Sequence, residues 1–236
     1  MQNFVHLHCH SQYSNLRLLD SINKIKPMVE YVVSLGQNAI ALTDHESLSG
    51  HVDFIKTVKQ LKKDEKIPQD FKPILGNEIY LVDEDEMNIE VKNGVSNFYH
   101  FILIAKDAKG HQQLRELSSR AWNRMFSYKG VDRVPTFYSD IEEVIGNDTG
   151  HLISSSACLG GYIPKNVSKI LSDDFPDTLE YKRNIHNFVN WCVDVFGKDD
   201  FYIELQPSHM LEQTEYNKYV LRIAEAYGLK HIITTD

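Results

Sequence analysis

Pro73-Ile74-Leu75-Gly76-Asn77-Glu78-Ile79-Tyr80-Leu81-Val82 reads as a strand with one carboxylate inside it. Comparable short runs recur on both sides: Phe4 to His10, Ala39 to Thr43, His100 to Ala105, His151 to Ser155, Phe201 to Leu205 and His231 to Asp236. Between several of them, apolar residues fall at helical spacing. Ile22, Ile25, Val29, Val32 and Val33 form one such set, stopped by Gly36, and Leu48, Val52, Ile55 and Val58 form another. Leu114, Leu117, Ala121 and Met125 follow, then Ile185, Phe188, Val189 and Cys192, then Tyr219, Val220, Ile223 and Ala224. Continuous apolar strands separated by helices predict a parallel sheet covered on its outer face. Seven of them predict a barrel, whose reactive groups gather at the carboxyl ends of the strands. The acidic segment Asp83 to Glu90 reads as a loop or hairpin insertion, and no repeat, low-complexity tract or linker divides the chain.

Composition narrows the class of protein. With 236 residues, 42% hydrophobic and 25% charged, the chain suits one large domain with a full core. The formal charge of −8 argues against nucleic-acid binding by bulk electrostatics, although metal ions could supply the positive charge that a phosphate needs. The start, Met1-Gln2-Asn3-Phe4, lacks a basic segment followed by an apolar run, and no stretch is long enough to span a bilayer. The expected location is the cytoplasm, with no membrane partner. Cys9, Cys158 and Cys192 are too few and too far apart for a disulfide framework, so each defaults to a small buried hydrophobe.

The candidate chemistry lies at strand ends. His6, His8 and His10 are two apart and would share one face of a strand, which is a ligand arrangement. Asp44 and His45 follow the second apolar run, Cys158 follows the fifth, beside Gly160-Gly161, and Asp236 ends the seventh. His100 is the exception, because it begins its run. Taken singly, His45 reads equally as a hydrogen-bonded loop histidine, His100 as a satisfied core histidine and Cys158 as a small buried residue. Glu78 is stronger, since a buried carboxylate without a cationic partner costs several kcal/mol. Together His8, His10, Asp20, His45, Glu78, His100, Cys158 and Asp236 are too many for one ion, and their mixed chemistry favours zinc, manganese or iron.

These residues and their surroundings resemble a known family. His8-Cys9-His10-Ser11-x-Tyr13-Ser14, Leu42-Thr43-Asp44-His45, Gly76-x-Glu78, Tyr99-His100, Cys158-Leu159-Gly160-Gly161-x-Ile163-Pro164 and Thr235-Asp236 look like the PHP (polymerase and histidinol phosphatase) domain. More narrowly, they resemble its form at the amino end of the bacterial DNA polymerase III alpha subunit. The resemblance implies a distorted (β/α)7 TIM-like barrel with a trinuclear divalent metal site at one mouth. It implies that His8 and His10 hold one ion with Asp236, that Glu78 bridges this ion to a second completed by His100 and Cys158, and that Asp20 and His45 hold the third. Glu78, His45 and Asp236 would then be the catalytic members. The activity implied is phosphoester hydrolysis, acting as a 3′ to 5′ proofreading exonuclease. The DNA 3′ end would be the substrate, and the rest of a polymerase chain and its replisome subunits the partners.

Two departures stand out. Ser14 to Asp20 is longer than the commonest family spacing, and a family histidine expected two positions after Asp236 lies beyond the sequence. Residues 1–236 are thus expected to be a single PHP domain, the truncated amino-terminal part of a much longer chain. Two other readings stay open at this point, a free-standing phosphatase of the histidinol phosphatase type and a non-catalytic scaffold of a polymerase. Arg115, Arg120, Arg124, Lys129 and Arg133, interleaved with Trp122, Phe126 and Tyr128, read either as a path for a single strand or as an amphipathic helix with a basic face. Lys56, Lys59, Lys62 and Lys63 read as a solvated helix face, and His6, Cys9, Glu204 and His209 as residues supporting ligands or the fold.

Overall fold

A computed structural model describes residues 4–17, 19, 21–87, 97–128, 131–172 and 178–236, the side chains of Tyr128 and Val131 excepted. In chain order these residues form α1 (Ile25–Ser34), β1 (Ala39–Leu42), α2 (His51–Lys63), β2 (Lys72–Val82), β3 (Tyr99–Ala105) and α3 (Ala108–Asn123). There follow the short strands β4 (Phe126–Tyr128), β5 (Val131–Arg133) and β6 (Pro135–Phe137), then α4 (Tyr138–Ile145), β7 (Leu152–Ser155) and α5 (Tyr162–Leu171). The chain ends with α6 (Leu179–Phe196), β8 (Phe201–Leu205), α7 (Leu211–Tyr227) and β9 (Lys230–Ile233). One seven-stranded sheet runs in the order β1-β2-β3-β7-β8-β9, with β6 pairing the distal half of β2, while β4 and β5 form a separate hairpin. The sheet is curled into a half-barrel with helices around its outer face, as the apolar runs predicted.

The direction of one strand corrects the all-parallel expectation. β3 runs antiparallel to both neighbours, pairing Tyr80 with His100 on one side and Ile102 with Ser155 on the other. A parallel pair needs a long crossover, usually a helix. No helical apolar pattern separates Val82 from Tyr99, whose connection had read as a hairpin insertion, whereas β1 and β2 are parallel around α2.

A second correction concerns the opening run. Residues 4–10 form no ladder, only a parallel bridge between His6 and Ile40 with Ala41 N donating to His6 O at 2.8 Å and Thr43 N to Cys9 O at 2.9 Å. The segment lies beside β1, and Thr235 Oγ1 meets His6 Nδ1 at 3.2 Å, so it bridges the first and last parts of the half-barrel. The elements α4, α5, β6 and the β4–β5 hairpin were not read from the sequence.

Alternation along the strands divides the interior. Outward-facing Ile40 and Leu42 pack with Val29, Phe54 and Val58 under α1 and α2, and Ile79, Leu81, Phe101, Leu103, Phe201 and Ile203 pack with α3 to α7. Inward-facing Ala41, Ile102 and Ile104 form a smaller cluster with Ile74 and Ile153. Each large side chain fully buried in these clusters contributes roughly 1.5–3 kcal/mol, and this rigid layer holds the loops of one mouth.

Candidate metal centre

Antiparallel pairing explains the exception of His100. Because β3 is reversed, its first residues lie at the same mouth as the carboxyl ends of β1, β2, β7, β8 and β9, and His100 pairs with Tyr80 near the end of β2. Glu78 and Tyr80, two apart, point inward from β2. His45 follows β1 and forms a parallel bridge with Glu78. The loop after β7 carries Cys158 and crosses β3, where His100 N donates to Gly160 O at 3.1 Å. A Cβ on Gly160 would sit 2.8 Å from the His100 ring, so only glycine lets the backbone pass this close.

The predicted ligand atoms converge in three groups, His8 with His10 and Asp236, His10 with His45 and Glu78, and Glu78 with His100 and Cys158. Within each, the atoms lie within 4.8 Å of one another. Asp236 Oδ1 is 2.9 Å from His10 Nε2 and 3.4 Å from His8 Nε2. Glu78 Oε1 is 2.7 Å from His100 Nδ1, 3.6 Å from His8 Nε2 and 3.9 Å from Cys158 Sγ. Its other oxygen contacts His45 Nδ1 and lies 3.4 Å from His10 Nε2. Seven of the eight predicted residues are thereby brought together; the eighth, Asp20, lies outside the described residues. His45 groups with His10 and Glu78, where the resemblance had paired it with Asp20.

Hydrogen bonds aim these atoms. His8 Nδ1 donates to Glu204 Oε1 at 2.7 Å, which fixes the proton on that nitrogen and turns the Nε2 lone pair into the cup. Glu204 is held in turn by Thr234 Oγ1 at 2.6 Å and Ser155 Oγ at 2.7 Å. Nε2 of His8, Nε2 of His10 and Oε2 of Glu78 are buried, and their polar neighbours are only the other members of the cup, a costly state that a cation would relieve. Imidazole, carboxylate and thiol together form a donor set for borderline transition metals, so the residues fit such an ion.

The charges agree. Burial opposes a charge on His8, yet Glu204 and Glu78 outweigh it and raise its pKa well above the usual imidazole value. Burial likewise works against the Glu78 carboxylate, but His100, His45 and His8 hold its pKa well below the ordinary range. The Cys158 thiol is pushed up by burial and by the Glu78 and Asp236 carboxylates. The cup is therefore electronegative and attracts protons or cations.

Several residues support the cup in ways the sequence did not show, among them Asp44, which read there as a strand-end candidate and joins none of the three groups. Asp44 is a brace: its carboxylate accepts from Ser11 N at 2.6 Å, Ser11 Oγ at 2.9 Å and Ser14 Oγ at 2.9 Å. Ser14 Oγ also meets His10 Nδ1 at 3.2 Å and accepts from His45 N at 3.1 Å, so one hydroxyl orients two candidate ligands. Tyr80 stacks on His100 at 4.5 Å and its hydroxyl reaches His45 Nδ1 at 3.3 Å. Its place two residues after Glu78 was the signal.

Other candidates lie elsewhere. His6 and His209 join none of the groups, and Cys9 packs against the core of α1 and α2, its pKa pushed up to about 12 by burial and nearby carboxylates. Part of the basic segment is engaged within the fold: Arg120 binds Glu143 and Glu116, Arg124 binds Asp140, and Trp122 Nε1 donates to Glu46 O at 2.7 Å. Lys129 lies outside the described residues. No helix among the described residues is long and apolar enough to cross a membrane.

Comparison with known proteins adds the lineage of this arrangement. A family model described as PHP domain matches residues 6–208. The DNA-directed DNA polymerase of Bacillus phage SPbeta is 46% identical over 234 residues, covering 97% of this chain and 18% of that protein. DNA polymerase III subunit alpha of Aquifex aeolicus is 32% identical over 240 residues, covering 100% of this chain and again 18% of the relative. Among solved structures, a Bifidobacterium adolescentis protein described as a metal-dependent phosphoesterase superposes with a TM-score of 0.53 at 15% identity, over 98% of this chain and 86% of the other. An amidohydrolase from Chromobacterium violaceum gives the same TM-score, 0.53, at 14% identity with the same coverages, 98% and 86%. These structural likenesses concern the fold.

Proposed function

Because this chain belongs to the PHP domain family, we propose that its cup holds divalent metal ions and hydrolyses phosphoesters, the substrate being the 3′ end of a DNA strand. The observation that carries this reading is the sharing of Glu78 between two three-residue groups, the first of which is joined through His10 to the group of His8 and Asp236. His8, His10 and Asp236 would hold one ion, and Glu78, His100 and Cys158 a second. His45 would hold a third with Asp20. Bound divalent ions supply a nucleophilic water near neutral pH and neutralise charge on the attacking and leaving oxygens. Zinc, manganese and iron all suit the donors.

The chain's own residues do the positioning. Glu204 keeps His8 in one tautomer, Ser14 sets His10 and His45, and Tyr80 backs His100, so the donors are arranged before substrate arrives. The negative cup repels a bare phosphate, which makes DNA cleavage depend on the loaded metals; this suits a chain of net charge −8.

The relatives, of which this chain spans 18%, are named as DNA polymerases, which supports the 3′ to 5′ exonuclease of a polymerase over a free-standing phosphatase. On this reading the chain is one domain of a longer cytoplasmic polymerase and works beside its other replisome subunits. The deciding experiment loads the protein with manganese or zinc and compares 3′-labelled single-stranded DNA with p-nitrophenyl phosphate. Stepwise release of 3′ nucleotides, lost in Glu78→Gln, is the expected result. Hydrolysis of the monoester alone would transfer the reading to a small-molecule phosphatase, and bound metal without either activity would leave a scaffold.

A further inference from the structure

Consecutive strand residues face opposite sides, so Tyr99 points away from the cup that His100 enters. There it joins Tyr138 of α4, Tyr162 of α5, and Phe188 and Trp191 of α6 around a cavity of about 280 Å³. The rings support one another: Tyr99 meets Tyr162 edge-on at 4.8 Å, Tyr162 stacks on Phe188 at 4.6 Å, and Tyr138 meets Trp191 edge-on at 4.8 Å. Three carboxylates, Asp83, Glu86 and Glu142, complete the wall with Asn184 and Asn187, and among the described residues no lysine or arginine lines it. Glu142 Oε1 accepts from Trp191 Nε1 at 2.8 Å, which ties one of these charges to the aromatic wall.

Aromatic faces and carboxylates are both negative surfaces, and together they select a cation. A cation over an aromatic face gains roughly 0.5–2 kcal/mol, most where water is excluded. We propose that this cavity receives a guanidinium or alkylammonium group, the side chain of an arginine or lysine presented by a protein partner.

Further features agree. Among the described residues, the hydroxyls of Tyr99, Tyr138 and Tyr162 make no hydrogen bond to protein, so they are open as acceptors for the N–H groups of a guest. All three phenols have raised pKa values, chiefly through burial and also through neighbouring phenols and the Asp83 and Glu86 carboxylates, so they stay neutral. Lys169 acts on Glu86, but its ammonium lies over the ring of Tyr181 at 5.0 Å and does not line the cavity. A phosphate-bearing ligand meets three carboxylates here, which sets this surface apart from any DNA path. Tyr99 and Tyr162 each adjoin the bridge between His100 and Gly161, so a seated cation would brace the wall of the metal centre from behind.

The test uses Trp191 as reporter in a Trp122→Phe background, Trp122 being the other tryptophan. The probes are Nα-acetyl-arginine methylamide, the equivalent lysine and glutamine compounds, and adenosine. Saturable quenching by the arginine or lysine probe is expected, with roughly tenfold weaker binding in the Asp83→Asn, Glu86→Gln, Glu142→Gln triple variant. Unchanged thermal melting and metal content of that variant check that the fold is intact. Equal binding of the glutamine probe, tighter binding of adenosine, an undiminished response in the triple variant, or no saturable response to either cation would each overturn the proposal.

Discussion

The two ends of the half-barrel interior are built on the same strands and differ by one pleat. At one end Ile74, Ile102, Ile104, Ile153, Tyr202 and Ile232 line a mainly apolar cavity of about 310 Å³. Two residues further toward the mouth, β3 offers His100 in place of Ile102, β7 Ser155 in place of Ile153, β8 Glu204 in place of Tyr202, and the chain after β9 Thr234 in place of Ile232. β2 takes two steps from Ile74, through Gly76, to Glu78. The comparison teaches that the scaffold is indifferent to which chemistry it displays, because side-chain direction is set by the pleat. The ends should respond in opposite ways: the floor should govern stability without metal, and the mouth should govern metal without being needed for the fold.

The largest expected effect tests the mouth. Glu78→Gln removes the residue shared by two candidate groups, and hydrolysis should fall roughly 10³-fold, equivalent to about 4 kcal/mol. Stripping metal with a chelator should cost the wild-type protein on the order of 3 kcal/mol of stability, the linkage value for an ion present at about a hundred times its Kd. The variant should lose little. Equal chelator sensitivity in melting curves of both proteins would remove Glu78 from the site.

Ile102→Ala tests the floor with the next effect. Ile102 is 1% exposed, and its truncation should lower stability by about 2–4 kcal/mol in urea unfolding, with and without metal. Metal per folded chain should not change. A variant that lost metal in proportion to stability would show that the two ends are coupled and break the comparison.

How far these ends could be read from sequence follows from the same pleat. Continuous apolar runs announced the strands, and polar residues within or beside them, His8, His10, His45, Glu78, Cys158 and Asp236, announced the mouth. The run of β3 is equally apolar read either way, so its direction was carried only by the missing helical crossover between Val82 and Tyr99; the antiparallel pairing with β2 turns His100 toward the site. The brace around Asp44 was hidden for a different reason. Whether a carboxylate after a strand faces a metal or two serines depends on where Ser11 and Ser14 fold back, and spacing does not encode that. Residues 4–10 carried a strand-like alternation yet pair only through one bridge, while the three-residue strand β6 and the hairpin β4–β5 left no periodic signal long enough to read. Glu204, set aside as a supporting residue, has that place through His8.

Between the two ends, at the waist of β2, His51 Nε2 donates to Gly76 O at 2.9 Å. Burial, together with His111, lowers its pKa to about 4 from an ordinary 6.5. Between these values the unfolded chain carries a proton there and the folded chain does not, so stability should fall as pH drops from about 6.5 to 4. The contribution is complete above that window and amounts to about 2–4 kcal/mol. His51→Gln keeps a donor for Gly76 O without the titration. The difference between wild type and variant in urea unfolding should therefore shift across the window. A constant difference would mean that the waist does not titrate and that acid lability belongs to the mouth.

The finest division of the comparison runs within the mouth, between candidate ligands and the residues behind them. Glu204 is 1% exposed and reaches His8 only through Nδ1. A glutamine there can still accept that hydrogen bond, so Glu204→Gln removes charge while leaving His8 in place. A negative partner makes the opposite imidazole nitrogen a better donor, and loss of such a partner weakens metal affinity by roughly 10–100-fold. The loss should fall on the group formed by His8, His10 and Asp236, so that at limiting metal about one equivalent disappears while the ion at Glu78, His100 and Cys158 stays. Elemental analysis after dialysis against graded metal buffers separates the cases. Uniform loss from every group would make Glu204 a scaffold residue whose effect is global. No loss would mean that the His8–Glu204 pair serves only to bury a histidine in the segment beside β1.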